Sequence, residues 1–227
     1  MKWEDEGFLL YKNKYSENSI IAEFFTLNHG KCSGIIYGGT SRKIKNYLQL
    51  GNKIHLILNS KNESKIGYFK IEIIEAISPA FFNNNNKINC LISSLNFLRT
   101  VLPESQLHKN IYNLFSSFLN DLKYNDQWIF DYIFFEMNLL KEIGFDMNLK
   151  PSQQSIISTN NSLTSVKVDN QEIKVPSFLV SKKISDTDNK HIHLALKTLS
   201  NFIEKNILIP NNINISKFRK NLENFYR

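Results

Sequence analysis

The stretch Tyr68-Phe-Lys-Ile-Glu-Ile-Ile-Glu-Ala-Ile77 alternates apolar and charged side chains over most of its length. A period of two sends successive side chains to opposite faces, which is how a half-buried strand is written. Pro79 closes the pattern, and from Lys87 the apolar residues recur at helical spacing. One chain therefore carries two kinds of structure in sequence, strands first and helices after, which makes it α+β.

Working back from Tyr68, four more short strands are expected. Gly7 to Tyr11 begins an apolar run, and Ile20 to Leu27 (Ile-Ile-Ala-Glu-Phe-Phe-Thr-Leu) is rich in β-branched and aromatic residues. Ile35 to Tyr37 follows a turn at Asn28-His29-Gly30, and Ile54 to Leu58 alternates around His55 and Ile57. Five short strands with turn residues between them suit a small closed barrel. The OB-fold is the commonest five-stranded choice, and an SH3-like barrel fits the same pattern. Ahead of Gly7, Glu4-Asp5-Glu6 reads as a solvated lead-in.

Working forward, Cys90, Leu91, Leu95, Leu98 and Leu102 make one helical face. Leu107, Ile111, Leu114, Phe115, Phe118 and Leu122 make a second, and Trp128, Tyr132, Phe135, Leu139 and Ile143 a third. Ile129, Ile133 and Leu140 widen the third face, so that helix should be central and buried. Gly144 is expected at its C′ position. Residues 150–190 lose periodicity and read as a looped insertion, with a hairpin about Asp169-Asn170. Helical spacing resumes at His191 to Asn206, and Ser216 is placed to cap a last helix. The expected organisation is a barrel over 1–80 and a helical domain over 81–227.

Charge is uneven along this frame. Residues 1–80 are net +3, residues 81–150 net −1 and residues 151–227 net +5, within an overall +7 and a pI near 9.2. Such a balance points to a polyanion, nucleic acid or anionic membrane. Asn and Lys are frequent, as an AT-rich coding sequence would make them, and only Arg42, Arg99, Arg219 and Arg227 are Arg. An Arg kept under that bias is a candidate for geometry-specific work. The apolar run Trp128 to Leu140 is interrupted by Asp131 and Glu136, too short and too charged to span a bilayer. With an acidic start, no apolar leader and two isolated cysteines, Cys32 and Cys90, the expected setting is a reducing cytoplasm, with association at the nucleoid.

Catalytic and metal motifs are missing. Neither a G-x-x-x-x-G-K-[ST] nor a G-x-G-x-x-G loop occurs, and no Ser or Cys stands in a nucleophile motif. His191-x-His193 lacks the paired ligands of a zinc site, and the two rings should lie at a helix start, one inward and one exposed. No catalytic residue, metal or cofactor is expected. Gly30 to Lys45 is the informative segment, because six cations, Lys12, Lys14, Lys31, Arg42, Lys43 and Lys45, stand against Glu17 and Glu23 between positions 12 and 45. Gly38-Gly39 can turn there without a Cβ penalty. Cations for phosphates with Tyr11, Tyr15 and Tyr37 as stacking rings would make a nucleic-acid groove; a solvated basic loop over core tyrosines is the plainer alternative.

Several motifs then resemble the RecO family of DNA-repair proteins. Trp3-Glu-Asp-Glu-Gly-Phe-Leu-Leu10 is similar to the family's opening, and Thr26-Leu-Asn-His-Gly30 to its T-x-x-x-G turn. Gly38-Gly-Thr-Ser-Arg-Lys43 resembles its basic loop, and Leu48-Gln-Leu-Gly51 its L-Q-P-G element with Leu50 in place of Pro. Leu102-Pro-Glu104, Phe134-Phe-Glu-Met-Asn-Leu-Leu-Lys-Glu-Ile-Gly-Phe145 and Met147-Asn-Leu149 follow in the family's order.

The resemblance implies an N-terminal OB-fold and a C-terminal helical domain. It implies a non-enzymatic mediator of recombination that binds and anneals single-stranded DNA and also meets duplex DNA. Its partners would be RecR and the tail of single-strand binding protein, met while recombinase is loaded. An OB-fold module that binds protein and not DNA is the alternative. Some family members hold a four-Cys zinc site in the region of 150–190; this chain has no Cys there, Ser152 standing near one such place. The DNA-binding set is then Lys12, Lys14, Lys31, Tyr37, Arg42, Lys43 and Lys45. An acidic, Phe-terminated tail would need an apolar pocket rimmed by cations, for which Arg99, Lys109, Tyr112, Phe115 and Lys141 are the candidates.

Overall fold

A computed structural model of the protein describes residues 2–60, 66–151, 162–168, 171–184 and 187–227. They form two compact units, residues 1–119 and 120–227.

In the first unit β1 (Lys2–Ser16), β2 (Ser19–Thr26), β3 (Gly30–Tyr37), β4 (Lys53–Asn59) and β5 (Gly67–Glu75) close in the order β1-β2-β3-β5-β4. β1 pairs antiparallel with both β2 and β4, and β3 meets β5 in parallel at Gly34–Gly67 and Ile35–Tyr68. This is the OB arrangement, and it removes the SH3-like alternative. A Cβ on Gly34 would stand 2.4 Å from the Phe69 ring, so glycine there is what lets the barrel close over that ring. Leu9, Phe24, Ile36, Leu48, Ile54, Leu56 and Phe69 fill the interior.

Two expectations change here. β1 starts at Lys2, so Glu4-Asp5-Glu6 is strand and not a solvated lead-in. Each carboxylate has a partner: Glu4 meets His55 at 2.8 Å, Glu6 meets Lys53 at 2.7 Å, and Asp5 is buried against His29 at 2.7 Å. The basic loop is also partly helical, as α1 (Arg42–Tyr47), because the Ser41 side chain accepts from the Ile44 N–H and caps it.

Outside the barrel, α2 (Asn85–Val101) and the first part of α3 (Lys109–Tyr124) belong to the same unit. Residues 7–10 of β1 are buried on both faces for this reason: Leu9 points in, while Phe8 packs outward on Tyr112 and Phe115, each ring centroid 5.1 Å away. Leu107, expected on the second helical face, precedes α3 and is exposed.

The second unit is built round α4 (Trp128–Glu142), buried along most of its girth. It ends as expected at Gly144 (φ +88°), where Phe145 N–H donates to Leu140 C=O at 2.8 Å and Gly144 N–H to Lys141 C=O at 3.0 Å, a Schellman cap. A three-stranded sheet of β6 (Lys150–Pro151), β7 (Leu163–Val168) and β8 (Gln171–Pro176) follows. The hairpin pairing holds across β7 and β8, while its tip, Asp169-Asn170, and Ser152 lie outside the described residues. Then come α5 (Ser177–Ser181), α6 (Asn189–Ile203) with a π-helical turn at Glu204–Leu208, and α7 (Lys217–Phe225), capped by Ser216.

Candidate nucleic-acid interface

Gly38 takes φ +70°, and its N–H donates to Asn18 C=O at 2.7 Å, docking the end of β3 onto the β1–β2 hairpin. Two residues on, Thr40 Oγ1 donates to Glu17 C=O at 3.2 Å and holds the turn to the same hairpin. The turn therefore delivers α1 beside the far end of β1. Arg42, Lys43 and Lys45 are exposed along α1, whose first turn has no acidic residue.

Between hairpin and helix lies an open groove of about 490 Å³, lined by Lys12, Asn13, Lys14, Glu17, Ile20, Thr40, Lys45 and Gln49. Lys12 is half-buried and its Nζ donates to the Leu48 carbonyl just past α1. Its ammonium is held below the usual lysine range, by burial first and then by the like charge of Lys45. Burial and a neighbouring like charge both disfavour the ammonium, and a nearby anion would relieve both. Lys43 lies over the Tyr47 ring, 5.9 Å from its centroid.

Tyr37 sits at the end of β3 with 66% of its surface exposed, and Tyr68 of β5 is 40% exposed beside it, ring centroids 5.9 Å apart. Tyr68 was not among the expected site residues. Its signal was the alternation of β5, which sends Phe69 inward and Tyr68 and Lys70 outward. Asn13, Thr40 and Gln49 were also missed, since a groove wall of neutral polar residues leaves no mark on sequence.

Lys31 is not brought to this cluster. Its Nζ donates to Arg99 C=O at 3.0 Å in the last turn of α2 and lies 3.7 Å from Glu104, its side chain only 12% exposed. An ammonium against a helix C-terminus suits the macrodipole, so Lys31 ties α2 to the barrel.

The residues expected to receive a tail are engaged within the chain or spread along it. Arg99 grips Glu23 bidentately, Nε at 2.6 Å and NH2 at 2.7 Å, with its guanidinium 3.8 Å above the Tyr11 ring. Tyr112 is buried and its hydroxyl donates to Glu6 at 3.2 Å; burial, then Glu6, pushes that phenol far up. Phe115 is wholly buried. Lys109 is exposed at the start of α3, and Lys141 is exposed in the last turn of α4, in the second unit.

Among the described residues no group of three or more His, Cys, Asp or Glu stands ready for a metal, and no helix is long and apolar enough to cross a membrane. His191 and His193 are both half-buried, the second with Nδ1 2.9 Å from Glu223 C=O, and not one inward and one exposed. Cys32 and Cys90 are buried thiols, and burial pushes Cys32 up to about 12, far from a reactive thiolate.

Comparison with known proteins adds a separate line. The family model described as "Recombination protein O N terminal" matches residues 1–77, and "Recombination protein O C terminal" matches residues 86–212. The chain is 30% identical to the DNA repair protein RecO of Ehrlichia chaffeensis over 98% of its own length and 97% of that protein's. It is 31% identical to that of Wolbachia pipientis from Culex pipiens, over 82% of this chain and 73% of the relative. With the RecO protein of Roseobacter denitrificans it shares 31% identity over 66% of its length and 62% of the relative's.

Proposed function

Because this chain belongs to the RecO family, both halves of which it matches in order, we propose that it is a non-enzymatic mediator of recombination in DNA repair. It binds single-stranded DNA on the barrel, promotes annealing, and helps load recombinase onto strands coated by single-strand binding protein. The observation that carries this reading is the groove where Lys12, Lys14 and Lys45 converge beside the exposed Arg42 and Lys43. A row of cations on one side of an OB barrel tracks a phosphate backbone and requires no reacting group. RecR and the acidic tail of single-strand binding protein are the proposed protein partners, the tail drawn to exposed cations such as Lys109 and Lys141.

Salt dependence tests the DNA-binding part. Each phosphate contact on a single strand contributes about 0.7 to the slope of log affinity against log salt. Anisotropy titrations with oligo-dT should show Arg42→Ala/Lys43→Ala losing about one unit of slope or more. Lys12→Ala should weaken binding in the same sense. A double variant with wild-type slope and affinity removes the groove from the interface, and absence of any binding by the wild type favours the protein-interaction reading.

A further inference from the structure

We propose that Tyr37 and Tyr68 form a stacking platform for unpaired bases, a subsite distinct from the cationic groove, through which the barrel prefers single strands to duplex. The inference rests on the DNA-binding reading above.

β3 and β5 are neighbours only through their short parallel pairing, Gly34 to Gly67 and Ile35 to Tyr68. Just past that junction two large rings stand outside the barrel, 5.9 Å apart and inclined at 53°. The interior takes nothing from them: Phe69, not Tyr68, turns inward to meet Phe24 at 5.4 Å. Two adjoining aromatic side chains left in water are a binding surface waiting for an apolar plane.

Geometry decides which plane. Ring carbons pack best about 3.5–4 Å apart, so a base held between two rings needs about 7 Å and parallel faces. At 5.9 Å and 53° these rings already touch each other, and each offers only its outward face. A base must therefore come from outside and lie flat on one ring, as an unstacked base can. In a duplex both faces of each internal base are already stacked, so the platform discriminates against it.

Position supports the same ligand. Tyr37 runs through Gly38-Gly39 into Thr40, which lines the groove, and then into Arg42 and Lys43. Lys70 leaves β5 on the same outward phase as Tyr68. Tyr37 and the cations Arg42, Lys43 and Lys45 thus stand on one continuous run of chain, with Thr40 and Lys45 in the groove wall.

The test uses the full chain and three labelled probes: oligo-dT, an abasic deoxyribose-phosphate strand of equal length, and duplex. Wild type should bind oligo-dT most tightly. Tyr37→Ala/Tyr68→Ala should lose about 5- to 160-fold on oligo-dT, the range for one stacked base. Its salt slope and its affinity for the abasic strand should stay at wild type, and Tyr37→Phe/Tyr68→Phe should restore oligo-dT binding. Equal wild-type affinity for oligo-dT and the abasic strand overturns the platform while leaving the phosphate groove standing. So does an Ala variant that keeps the wild-type preference, or one whose loss comes with a shallower salt slope. Wild type that binds none of the three probes overturns the DNA-binding reading itself.

Discussion

Asp5 is one of three consecutive carboxylates, yet it alone is buried, and it organises a turn 23 residues away. Its oxygens accept from Asn28 N–H at 2.8 Å, Asn28 Nδ2 at 3.0 Å, its neighbour Glu6 N–H at 2.8 Å, and face His29 Nδ1 at 2.7 Å. His29 in turn stacks on Trp3 with centroids 4.0 Å apart. Burial alone would raise this carboxyl; the bonds from His29, Asn28 and Glu6 outweigh it and hold it below the usual range. A depressed folded value means stability that is fully present above the unfolded carboxylate range, near 3.9, and is lost as pH falls through the folded value. Asp5→Asn should cost about 1.5–3 kcal/mol at pH 7. Urea unfolding at pH 7 and near pH 3 should show the difference from wild type shrinking in acid; a gap that stays constant rules out the charged carboxylate as its source.

At the scale of the element, two glycines with the same backbone do different work. Gly30, the first residue of β3 at the end of its turn from β2, has φ +68°, and Gly38, after β3, has φ +70°. A Cβ on Gly30 would stand 1.9 Å from Gln106 C=O, whereas nothing lies within 4 Å of one on Gly38. The first turn is pressed against the chain leading from α2 to α3, where Ser105 N–H also donates to Lys31 C=O at 2.7 Å. Gly38→Ala should cost only the left-handed backbone, about 1–2 kcal/mol. Gly30→Ala should cost clearly more, because backbone must move as well. Chemical denaturation midpoints of the two variants check this, and equal losses would mean the Gln106 contact is relieved without strain. Between the same two elements, Lys31 and Arg99 fasten α2 to the barrel, which is where two expected site residues went.

Across the whole molecule each unit has its own core, and they are stabilised differently. The barrel interior is apolar, while the second unit buries an ion pair: Arg219 of α7 donates to Glu136 of α4 at 2.9 Å and to Leu196 C=O of α6 at 2.9 Å. Tyr132 also donates to Glu136, and the guanidinium lies 5.4 Å from the centre of the Tyr132 ring. Burial raises Glu136, and Arg219 offsets part of that rise. Removing one partner strands a charge in the core. Arg219→Met should therefore destabilise by about 3–5 kcal/mol, and Arg219→Met/Glu136→Leu should recover most of it. A double-mutant cycle by urea unfolding measures the coupling; additive losses would show that the two charges do not depend on each other.

Local patterning was sufficient for much of this. Alternation at 68–77, β-branched runs and the change of period after Pro79 determined a strand half and a helical half, since side-chain periodicity follows directly from backbone geometry. Gly144 and Ser216 marked helix ends because a left-handed residue and a capping hydroxyl act within a few residues. The cations of 12–45 were legible as a group for the same reason. Sequence could not say which of them converge. Lys12, Lys14 and Lys45 share a groove while Lys31 turns to a helix end, because strand phase and the docking of α2 aim each ammonium. Nor could it tell that Phe8, Tyr112 and Phe115 cover the barrel's outer face, that Glu23 occupies Arg99, or that Tyr37 and Tyr68 come together. Those pairings join residues from 31 to 107 positions apart, and only the closing of the barrel and the packing of helices on it bring them within reach.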